Sequence, residues 1–244
     1  MRLLHRVVEE PRDCVYLPYE RASLDVRLLV DVTPEELDAM LSRGWRRFGP
    51  AYFRPTCAAC GECVTLRIRT DLWKPTKSQR RAQKASARLK RVVRSPLVDR
   101  ERLDLYHRWH EAREGERGWD ESPMDAERYA LDFAFPHPCA REVAYYDEED
   151  HGRLVGLGLV DQTPHAFSAA YFFYDPEFKG SLGVSNVVDL VDHAKKKALP
   201  HVYLGYRVLG CESLLYKGNY GPHELLVGRP AMDETPEWRL ANPP

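Results

Sequence analysis

The most constraining feature of this sequence is a strand–helix–strand pattern between residues 166 and 206. An aromatic strand is predicted at Phe167 to Tyr174, a turn rich in proline and glycine at Asp175 to Gly183, and a second apolar strand at His201 to Tyr206. Between them, apolar residues recur at steps of three and four, as on one face of a helix: Val184, Val187, Val188, Val191, Ala194 and Ala198. Because such a face needs a sheet to cover, the pattern predicts two strands joined by a crossover helix.

The start of this helix suits an anionic ligand. The backbone N–H groups of Leu182, Gly183 and Val184 have no partner inside the helix and lie at the positive end of its dipole. Gly180 and Gly183 add no side chain that would block a close approach. Glycine in such a turn also occurs for purely conformational reasons, so both interpretations stay open.

Composition excludes several classes of protein. The chain has 244 residues, 43% hydrophobic and 11% aromatic, which is enough to bury a core and argues against disorder. The first residues, MRLLHRVVEEPRDC, lack the apolar run of a secretory signal, and no segment is long and apolar enough to span a bilayer. We therefore expect a cytoplasmic protein with no membrane partner. The net charge of −1 does not by itself indicate a polyanionic partner.

The cysteines indicate metal or thiol chemistry rather than disulfides. Cys57, Cys60 and Cys63 lie in the stretch CAACGEC, whose spacing allows three thiolates to turn inward on a tight loop. Cys14 can add a fourth ligand, which predicts a zinc site or an iron–sulfur cluster; reduced thiols in a cytosolic core are the alternative. Cys139 and Cys211 stand alone and are interpreted as small buried hydrophobic residues.

The segment from Lys74 to Arg94 is strongly basic. It contains nine lysines and arginines and no acidic residue. Such a run attracts phosphates, and Ser78 and Gln79 can add neutral hydrogen bonds to a sugar or a phosphate. A solvated charged surface is the alternative, but a run without nearby acids in a nearly neutral protein favours nucleic acid binding.

The other segments predict a mixed sheet. Strands are expected at Val26 to Val30 and Val64 to Thr70, and a hairpin is expected from Arg141 to Val160. Helices are expected after Thr33, which can form a capping box with Glu36, from Asp99 to Gly118, and after Ser122. A meander that leads into one crossover helix is the layout of the GNAT acyltransferase fold. We therefore expect an α/β (α+β) GNAT-like domain at 76–244, which includes most of the basic segment, and a small N-terminal region at 1–75 that contains the cysteine cluster.

Several stretches resemble the aminoacyl-tRNA–protein transferases. They are Cys14-Val15-Tyr16-Leu17-Pro18, Gly44-Trp45-Arg46-Arg47-Phe48-Gly49 with Arg54 to Cys60, Ser78-Gln79-Arg80-Arg81, Tyr171 to Pro176 with Ser181-Leu182-Gly183, Tyr203-Leu204-Gly205-Tyr206, and Tyr216-Lys217. The resemblance covers nearly the whole chain in order. In length and in the cysteine loop the chain is most similar to the compact bacterial aspartate/glutamate leucyltransferases.

The resemblance implies transfer of an amino acid, preferably leucine, from aminoacyl-tRNA to proteins that begin with Asp or Glu, which marks them for degradation by the N-degron route. The partners implied are the charged tRNA and the acceptor protein, and we expect a monomer. An aminoacyl ester is already activated, so the chemistry requires no cofactor and no nucleophilic side chain. Orientation and stabilisation of the developing oxyanion carry most of the acceleration.

The resemblance also suggests roles for individual residues. The catalytic cleft would be lined by Tyr174, Asp175, Tyr206 and Tyr216, with a tyrosine able to protonate the departing ribose oxygen. The aminoacyl or ribose end would be bound by backbone N–H groups of Ser181, Leu182 and Gly183, and the acidic acceptor by Arg46, Arg47, Arg207 or Lys217. The tRNA phosphates would be held by Lys77, Ser78, Gln79, Arg80 and Arg81. For each aromatic residue the alternative is a place in the core.

Three alternatives stay open. The stretch after Arg207 departs from the family pattern, so arginine is the second candidate for the transferred amino acid; it would need acids such as Asp189, Asp192 or Glu212. An acetyl-CoA-dependent N-acetyltransferase would use the same fold, although Lys179 to Gly183 lacks the fuller glycine-rich turn usual for that cofactor. A non-enzymatic metal- and RNA-binding protein would use only the cysteine loop and the basic segment.

Overall fold

The structure, a computed structural model, describes residues 1–117 and 123–241. Its helices are α1 Pro34–Leu41, α2 Lys77–Ala85, α3 Arg100–Arg117, α4 Ala126–Asp132, α5 Leu182–Lys196 and α6 Glu212–Leu215, followed by a 3-10 turn at Tyr216–Asn219. Its strands are β1 Arg2–Val8, β2 Arg12–Asp13, β3 Arg21–Ala22, β4 Leu24–Val30, β5 Arg46–Phe48, β6 Ala51–Pro55, β7 Val64–Arg69, β8 Lys90–Arg94, β9 Ala140–Asp147, β10 Arg153–Gln162, β11 Ala166–Tyr174, β12 His201–Arg207, β13 His223–Leu226 and β14 Trp238–Ala241.

One compact unit consists of Met1–Lys74, Gln162–Ser168 and Val191–Pro244. In it, β1, β4, β6 and β5 form an antiparallel sheet in that order. The predicted cap of α1 is confirmed: Glu36 N–H donates to Thr33 Oγ1 at 3.2 Å, and Thr33 N–H donates to the Glu36 carboxylate at 2.9 Å. This reciprocal capping satisfies two backbone donors that the helix itself leaves unpaired.

The second compact unit consists of Pro75–Asp161 and Ala169–Leu190. The predicted hairpin is confirmed as β9 and β10, which pair antiparallel with Arg153 opposite Asp147. The predicted helix from Asp99 is confirmed as α3, while Gly118 lies outside the described residues. These elements surround a core of nearly inaccessible apolar side chains: Leu105, Tyr106, Met124, Tyr129, Ala144, Leu154, Leu157, Leu159 and Phe173.

The larger sheet has the strand order β14-β13-β7-β12-β11-β10-β9-β8. The predicted strand–helix–strand pattern is confirmed as β11, α5 and β12, and Ala166 to Ser168 pair in parallel with His201 to Tyr203. Because β12 also pairs antiparallel with β7, the sheet is mixed, as expected. The fold is therefore of the α+β class with a large mixed sheet.

Three local predictions need correction. The helix expected after Ser122 begins at Ala126, because Asp125 is its cap and accepts the N–H of Arg128 at 2.7 Å; Ser122 lies outside the described residues. Ala198, expected on the inner face of α5, follows the end of the helix with a φ of 55° and is exposed.

The third correction is α2, a helix that the charge pattern did not predict. Thr76 and Gln79 form a second capping box, in which Thr76 N–H donates to Gln79 Oε1 at 2.8 Å. Within 1–117 and 123–241, no helix is long and apolar enough to cross a membrane. The predicted division into domains at 1–75 and 76–244 stays a prediction.

Candidate active site

The neighbouring arginines of β5 have separate surroundings. Adjacent residues of a strand point to opposite faces, so Arg46 and Arg47 cannot both face one ligand. Arg46, 8% exposed, donates from Nη1 to Ser168 Oγ at 3.0 Å. Arg47 donates instead to the carbonyl oxygen of Gly49 at 3.0 Å. Arg46 is therefore directed toward Ser168 of β11, the first strand of the strand–helix–strand pattern.

Lys217 approaches the same strand end as Arg46. Its Nζ donates to the carbonyl oxygen of Tyr206 at 3.0 Å. Gly205 lies between the two cations with a φ of 83°, and a Cβ atom there would meet Arg46 Nη2 at 3.3 Å and Lys217 Nζ at 3.4 Å. Burial of the amine, reinforced by the charge of Arg46, lowers the pKa of Lys217 to about 7.

The other predicted residues of the first unit differ in accessibility. Tyr206 donates its hydroxyl proton to the carbonyl oxygen of Gly44 at 2.9 Å, and burial raises its pKa. Tyr216 is 48% exposed. Arg207 is half-buried, and its Nε has no hydrogen-bond partner among the described residues. Because the hydroxyl of Tyr206 is already engaged, proton donation by this residue stays a prediction.

In the second unit, Asp175 is fixed by arginines. Its carboxylate, 1% exposed, accepts from Arg153 and from the backbone N–H of Glu177 at 2.9 Å, and Arg108 lies 3.6 Å away. Its neighbour Tyr174 accepts a hydrogen bond from Arg113 at 2.8 Å. This arrangement holds the turn between β11 and α5, and the catalytic role of both residues stays a prediction.

Helix α5 begins close against β10 because two strand residues are glycines. A Cβ at Gly156 would lie 2.7 Å from Leu182 Cδ2, and one at Gly158 would lie 2.7 Å from Asn186 Oδ1. Leu182 is fully buried by this packing, while Ser181 is exposed and Gly183 is half-buried. The first turn of α5 therefore presents backbone at Ser181 and Gly183 rather than a side chain at Leu182.

The first half of the basic segment is an unpaired stripe. Four cations of α2 recur at helical spacing on its exposed side: Lys77, Arg80, Arg81 and Lys84. They make no ion pair with any residue in the described ranges, and Ser78 beside them is exposed. Gln79, by contrast, is 5% exposed and caps the helix, so its contact with tRNA stays a prediction. We call the four cations the α2 stripe.

The second half of the basic segment is neutralised by acids that are distant in the sequence. Arg88 pairs with Asp147 at 2.7 Å and also with Glu149, and Lys90 lies 3.5 Å from Glu148. Arg91 pairs with Asp189, and Arg94 with Glu142, each at 2.7 Å. The interpretation that the whole segment lacks compensating acids is therefore wrong for this half.

All six cysteines are free thiols. Burial raises the pKa of Cys63 to about 12, and the thiols of Cys14, Cys57 and Cys60 add to the effect, so each of these three lies within electrostatic reach of Cys63. Arg229 donates to the carbonyl oxygens of Cys57 and Cys60 and so holds the loop. Among the described residues, no group of three or more His, Cys, Asp or Glu side chains is arranged to hold a metal ion. The zinc or iron–sulfur site stays a prediction.

Sequence reasoning missed two residues that shape these sites. Gly205 lies where the register of β12 against β7 shifts, and Ser168 is a buried hydrogen-bond partner of Arg46. A glycine inside a strand is typical of a bulge or a close approach, so Gly205 carried a signal. Ser168 carried none, since its partner is 122 residues away.

Comparison with known proteins decides the family. The family profile described as "Arginine-tRNA-protein transferase, C terminus" matches residues 101–227, and the one described as "Arginine-tRNA-protein transferase, N terminus" matches residues 12–81. This chain belongs to the arginine-tRNA-protein transferase family. The predicted resemblance and the prediction of an aminoacyltransferase are confirmed.

Relatives within this family cover most of the chain. The aspartate/glutamate leucyltransferase of Helicobacter hepaticus is 30% identical over 97% of this chain and 99% of its own. That of Campylobacter jejuni (strain 81-176) is 32% identical over 88% and 90%, and that of Agrobacterium fabrum is 33% identical over 90% of each. Among solved structures, L-PGS from Bacillus licheniformis is 15% identical with a TM-score of 0.45 and covers 72% of this chain and 50% of that chain.

Proposed function

We propose that this member of the arginine-tRNA-protein transferase family transfers leucine from leucyl-tRNA to the N-terminal amine of proteins that begin with aspartate or glutamate. The observation that carries the proposal is the end-to-end match to relatives named aspartate/glutamate leucyltransferase, at 30% identity over 97% of the chain. The transfer would take place in the cytoplasm and would mark the acceptor proteins for degradation. A monomer would be sufficient for the reaction.

The donor tRNA would be bound by the α2 stripe. Its four cations are exposed and unpaired within the described residues, and Ser78 can add a neutral hydrogen bond. Contacts of this kind neutralise phosphates and do not read the base sequence. They therefore suit a protein that binds the acceptor stem of a charged tRNA. Lys77, Arg80 and Arg81 were predicted for this role, and Lys84 extends the same face.

Leucine is preferred over arginine as the transferred amino acid. An arginine side chain would need a free carboxylate, and of the three predicted candidates Asp189 is already paired with Arg91 at 2.7 Å. Glu212 lies exposed in the first turn of α6. A leucine side chain requires only an apolar surface, and its burial stabilises the bound state by about 1.5–3 kcal/mol.

The chemistry follows from the activated ester. The acceptor's α-amine, with an ordinary pKa of about 8, is partly neutral at cytoplasmic pH and attacks the ester carbonyl. The new amide C–N bond forms as the ester C–O bond breaks, and the ribose hydroxyl leaves with a proton. In a GNAT-like arrangement, the N–H groups at Ser181 and Gly183 would hold the aminoacyl end near the start of α5. Of the three tyrosines predicted for the cleft, we assign proton exchange with a ligand to Tyr216, which is 48% exposed.

Transfer assays test the proposal directly. Purified protein is given tRNA charged with labelled leucine or labelled arginine, and peptides that begin with Asp, Glu or Ala. We expect label from leucine on the Asp and Glu peptides alone. Transfer of labelled arginine would show that arginyl-tRNA is the donor. Acetylation of the peptides with acetyl-CoA would show that the protein is an N-acetyltransferase. Binding of tRNA without any product would favour a non-enzymatic RNA-binding protein.

The ligands predicted for a zinc ion or an iron–sulfur cluster are Cys14, Cys57, Cys60 and Cys63, and no step of the reaction passes through such a site. Elemental analysis and the absorption spectrum of anaerobically purified protein distinguish zinc, a cluster and free thiols. We expect the transfer rate to persist in the presence of a chelator, provided that the protein stays folded. Cys57→Ser combined with Cys60→Ser would abolish any bound metal.

A further inference from the structure

We infer that Arg207, half-buried beside the 3-10 turn at Tyr216–Asn219, binds the carboxylate of the acceptor's first side chain. The inference rests on the proposed function, because it takes the acceptor to begin with Asp or Glu. It selects one of the four cations that the family resemblance suggested for this role. The selection depends on where each of these cations finds its hydrogen-bond partners.

The other three candidate cations have partners within the chain. Each donates a hydrogen bond to an oxygen atom of the protein at 3.0 Å: Arg46 to Ser168 Oγ, Arg47 to the carbonyl of Gly49, and Lys217 to the carbonyl of Tyr206. The side chain of Arg207, by contrast, makes no hydrogen bond and no ion pair with a residue of 1–117 or 123–241, and its Nε is buried.

Arg207 differs in this respect from the other half-buried arginines of the first unit. Each of those has a partner within the described chain: Arg27 has Asp25 at 3.1 Å, Arg43 the carbonyl of Glu234 at 2.8 Å, Arg54 the carbonyl of Pro230 at 2.7 Å, Arg67 has Glu224 at 2.7 Å, and Arg69 has Asp71 at 2.7 Å. Removing a charge from water is costly unless another group replaces its hydration. A ligand carboxylate would provide that compensation for Arg207.

The groups that the described contacts place around Arg207 are neutral. A Cβ atom on Gly218 would lie 3.7 Å from Arg207 Cδ, so the 3-10 turn packs against the stem of this side chain. His223, fully buried, has its Nδ1 3.2 Å from the carbonyl oxygen of Tyr220, the residue that ends the turn. Burial lowers the pKa of His223 and the charge of Arg207 lowers it further, so the ring lies within electrostatic reach of Arg207 and is neutral at pH 7.

The unmet hydrogen bonds indicate the class of ligand. Arg207 Nε and His223 Nε2 are both buried and have no hydrogen-bond partner among the described residues, which is rare for polar atoms in folded proteins. A guanidinium matches the two oxygens of a carboxylate, and the Nε2 of a neutral histidine that donates from Nδ1 is an acceptor. An N-terminal Asp or Glu carries a carboxylate together with an amine donor, whereas a phosphodiester carries only acceptors. An acidic first residue therefore suits this place better than a tRNA phosphate.

Peptide binding in the absence of tRNA tests the inference separately from the transfer reaction. The assay measures fluorescence anisotropy of peptides labelled at the C-terminus that begin with Asp, Asn, Glu or Gln, for the full chain and for Arg207→Gln. Asn and Gln match Asp and Glu in size but carry no charge. We expect the variant to bind the Asp and Glu peptides about 10- to 100-fold more weakly, the loss typical of a hydrogen bond to a charged group, with unchanged affinity for the Asn and Gln peptides.

Two further variants and one stability measurement separate binding from a structural role. Arg239→Gln removes an exposed arginine of the same unit, whose ion pair with Glu237 is also exposed, and should bind all four peptides as the parent does. Arg207→Lys keeps the charge but loses the planar fork, and should keep part of the preference for Asp and Glu. Because Arg207 has no partner in the described chain, Arg207→Gln should unfold at the same urea concentration as the parent or at a higher one.

The outcomes separate the two proposals. Selective binding of Asp and Glu peptides that depends on Arg207, in a protein that transfers no leucine, would support this inference while the proposed function fails. Leucine transfer with unchanged affinity for these peptides in Arg207→Gln would overturn the inference while the proposed function holds. A lower urea midpoint with an equal loss for all four peptides would assign Arg207 a structural role and overturn it. A loss of tRNA affinity in place of peptide affinity would also overturn it and assign Arg207 to a phosphate.

Discussion

Removing two cations from the α2 stripe should weaken tRNA binding in a way that salt reveals. The substitution is Arg81→Gln with Lys84→Gln. Both side chains are exposed and without ion pairs among the described residues, and the inner face of α2 is formed by Gln79 and Ala82, so the core is untouched. From Lys77 to Lys84 the helix rises about 10 Å, long enough to follow successive phosphates of one strand.

The magnitude follows from counterion release. Each duplex phosphate that a cation neutralises contributes about 0.9 to the slope of log K against log salt. If all four cations bind phosphates, they account for about a 150-fold loss of affinity between 50 and 200 mM salt, and the remaining two for about 12-fold. Any other phosphate contacts are the same in the parent protein and in the variant. The slope of log K against log salt should therefore be shallower by about 2 in the variant, whatever the total number of phosphates bound.

The assay is fluorescence anisotropy of labelled tRNA at a series of potassium chloride concentrations. Lys196→Gln with Lys197→Gln removes the same total charge from exposed positions outside α2 and should leave the slope unchanged. An unchanged slope in the α2 variant would refute the phosphate contacts. An equal decrease in both variants would show that overall charge, and not the α2 stripe, attracts the tRNA.

Two further predictions concern stability. Gly156→Ala places a Cβ 2.7 Å from Leu182 Cδ2 and should lower the free energy of unfolding by about 1–3 kcal/mol, whereas Gly61→Ala, with open space around it, should change it by less than about 0.5 kcal/mol in urea denaturation. For Lys217, whose pKa is about 7 in the folded chain, the unfolded chain binds more protons above pH 7. Stability should therefore rise between pH 7 and 10 relative to Lys217→Met, and a difference independent of pH would contradict the assigned pKa.

Periodicity and cap residues predicted much of the fold because their signals are local. The apolar steps of α5 and the capping box at Thr33 and Glu36 involve residues within a few positions of each other, and both are confirmed. Helix α2 was not predicted because its basic residues were interpreted only as a source of positive electrostatic potential. The pair Thr76 and Gln79 carried the same cap signature as Thr33 and Glu36.

Charge was harder to interpret than periodicity because ion pairs join distant parts of the chain. Within the basic segment, Arg94 meets Glu142 and Arg91 meets Asp189, at sequence separations of 48 and 98. No local sequence pattern predicts such ion-pair partners. The sequence therefore located the basic region correctly but overestimated its available charge: among the described residues of this segment, only Lys74 and the α2 stripe are without an ion pair.

Two strand glycines show what a local sequence signal predicts and what depends on distant residues. Gly156 and Gly205 both interrupt strands at a register shift, and at both a Cβ would crowd a neighbour. The neighbour of Gly156 is the apolar side chain of Leu182, so the missing Cβ permits close packing of a helix on the sheet. The neighbours of Gly205 are the cationic groups of Arg46 and Lys217, which a Cβ atom would approach to 3.3 and 3.4 Å. A glycine in a strand therefore predicts a close approach, whereas the polarity of the approaching group depends on residues that are distant in the sequence.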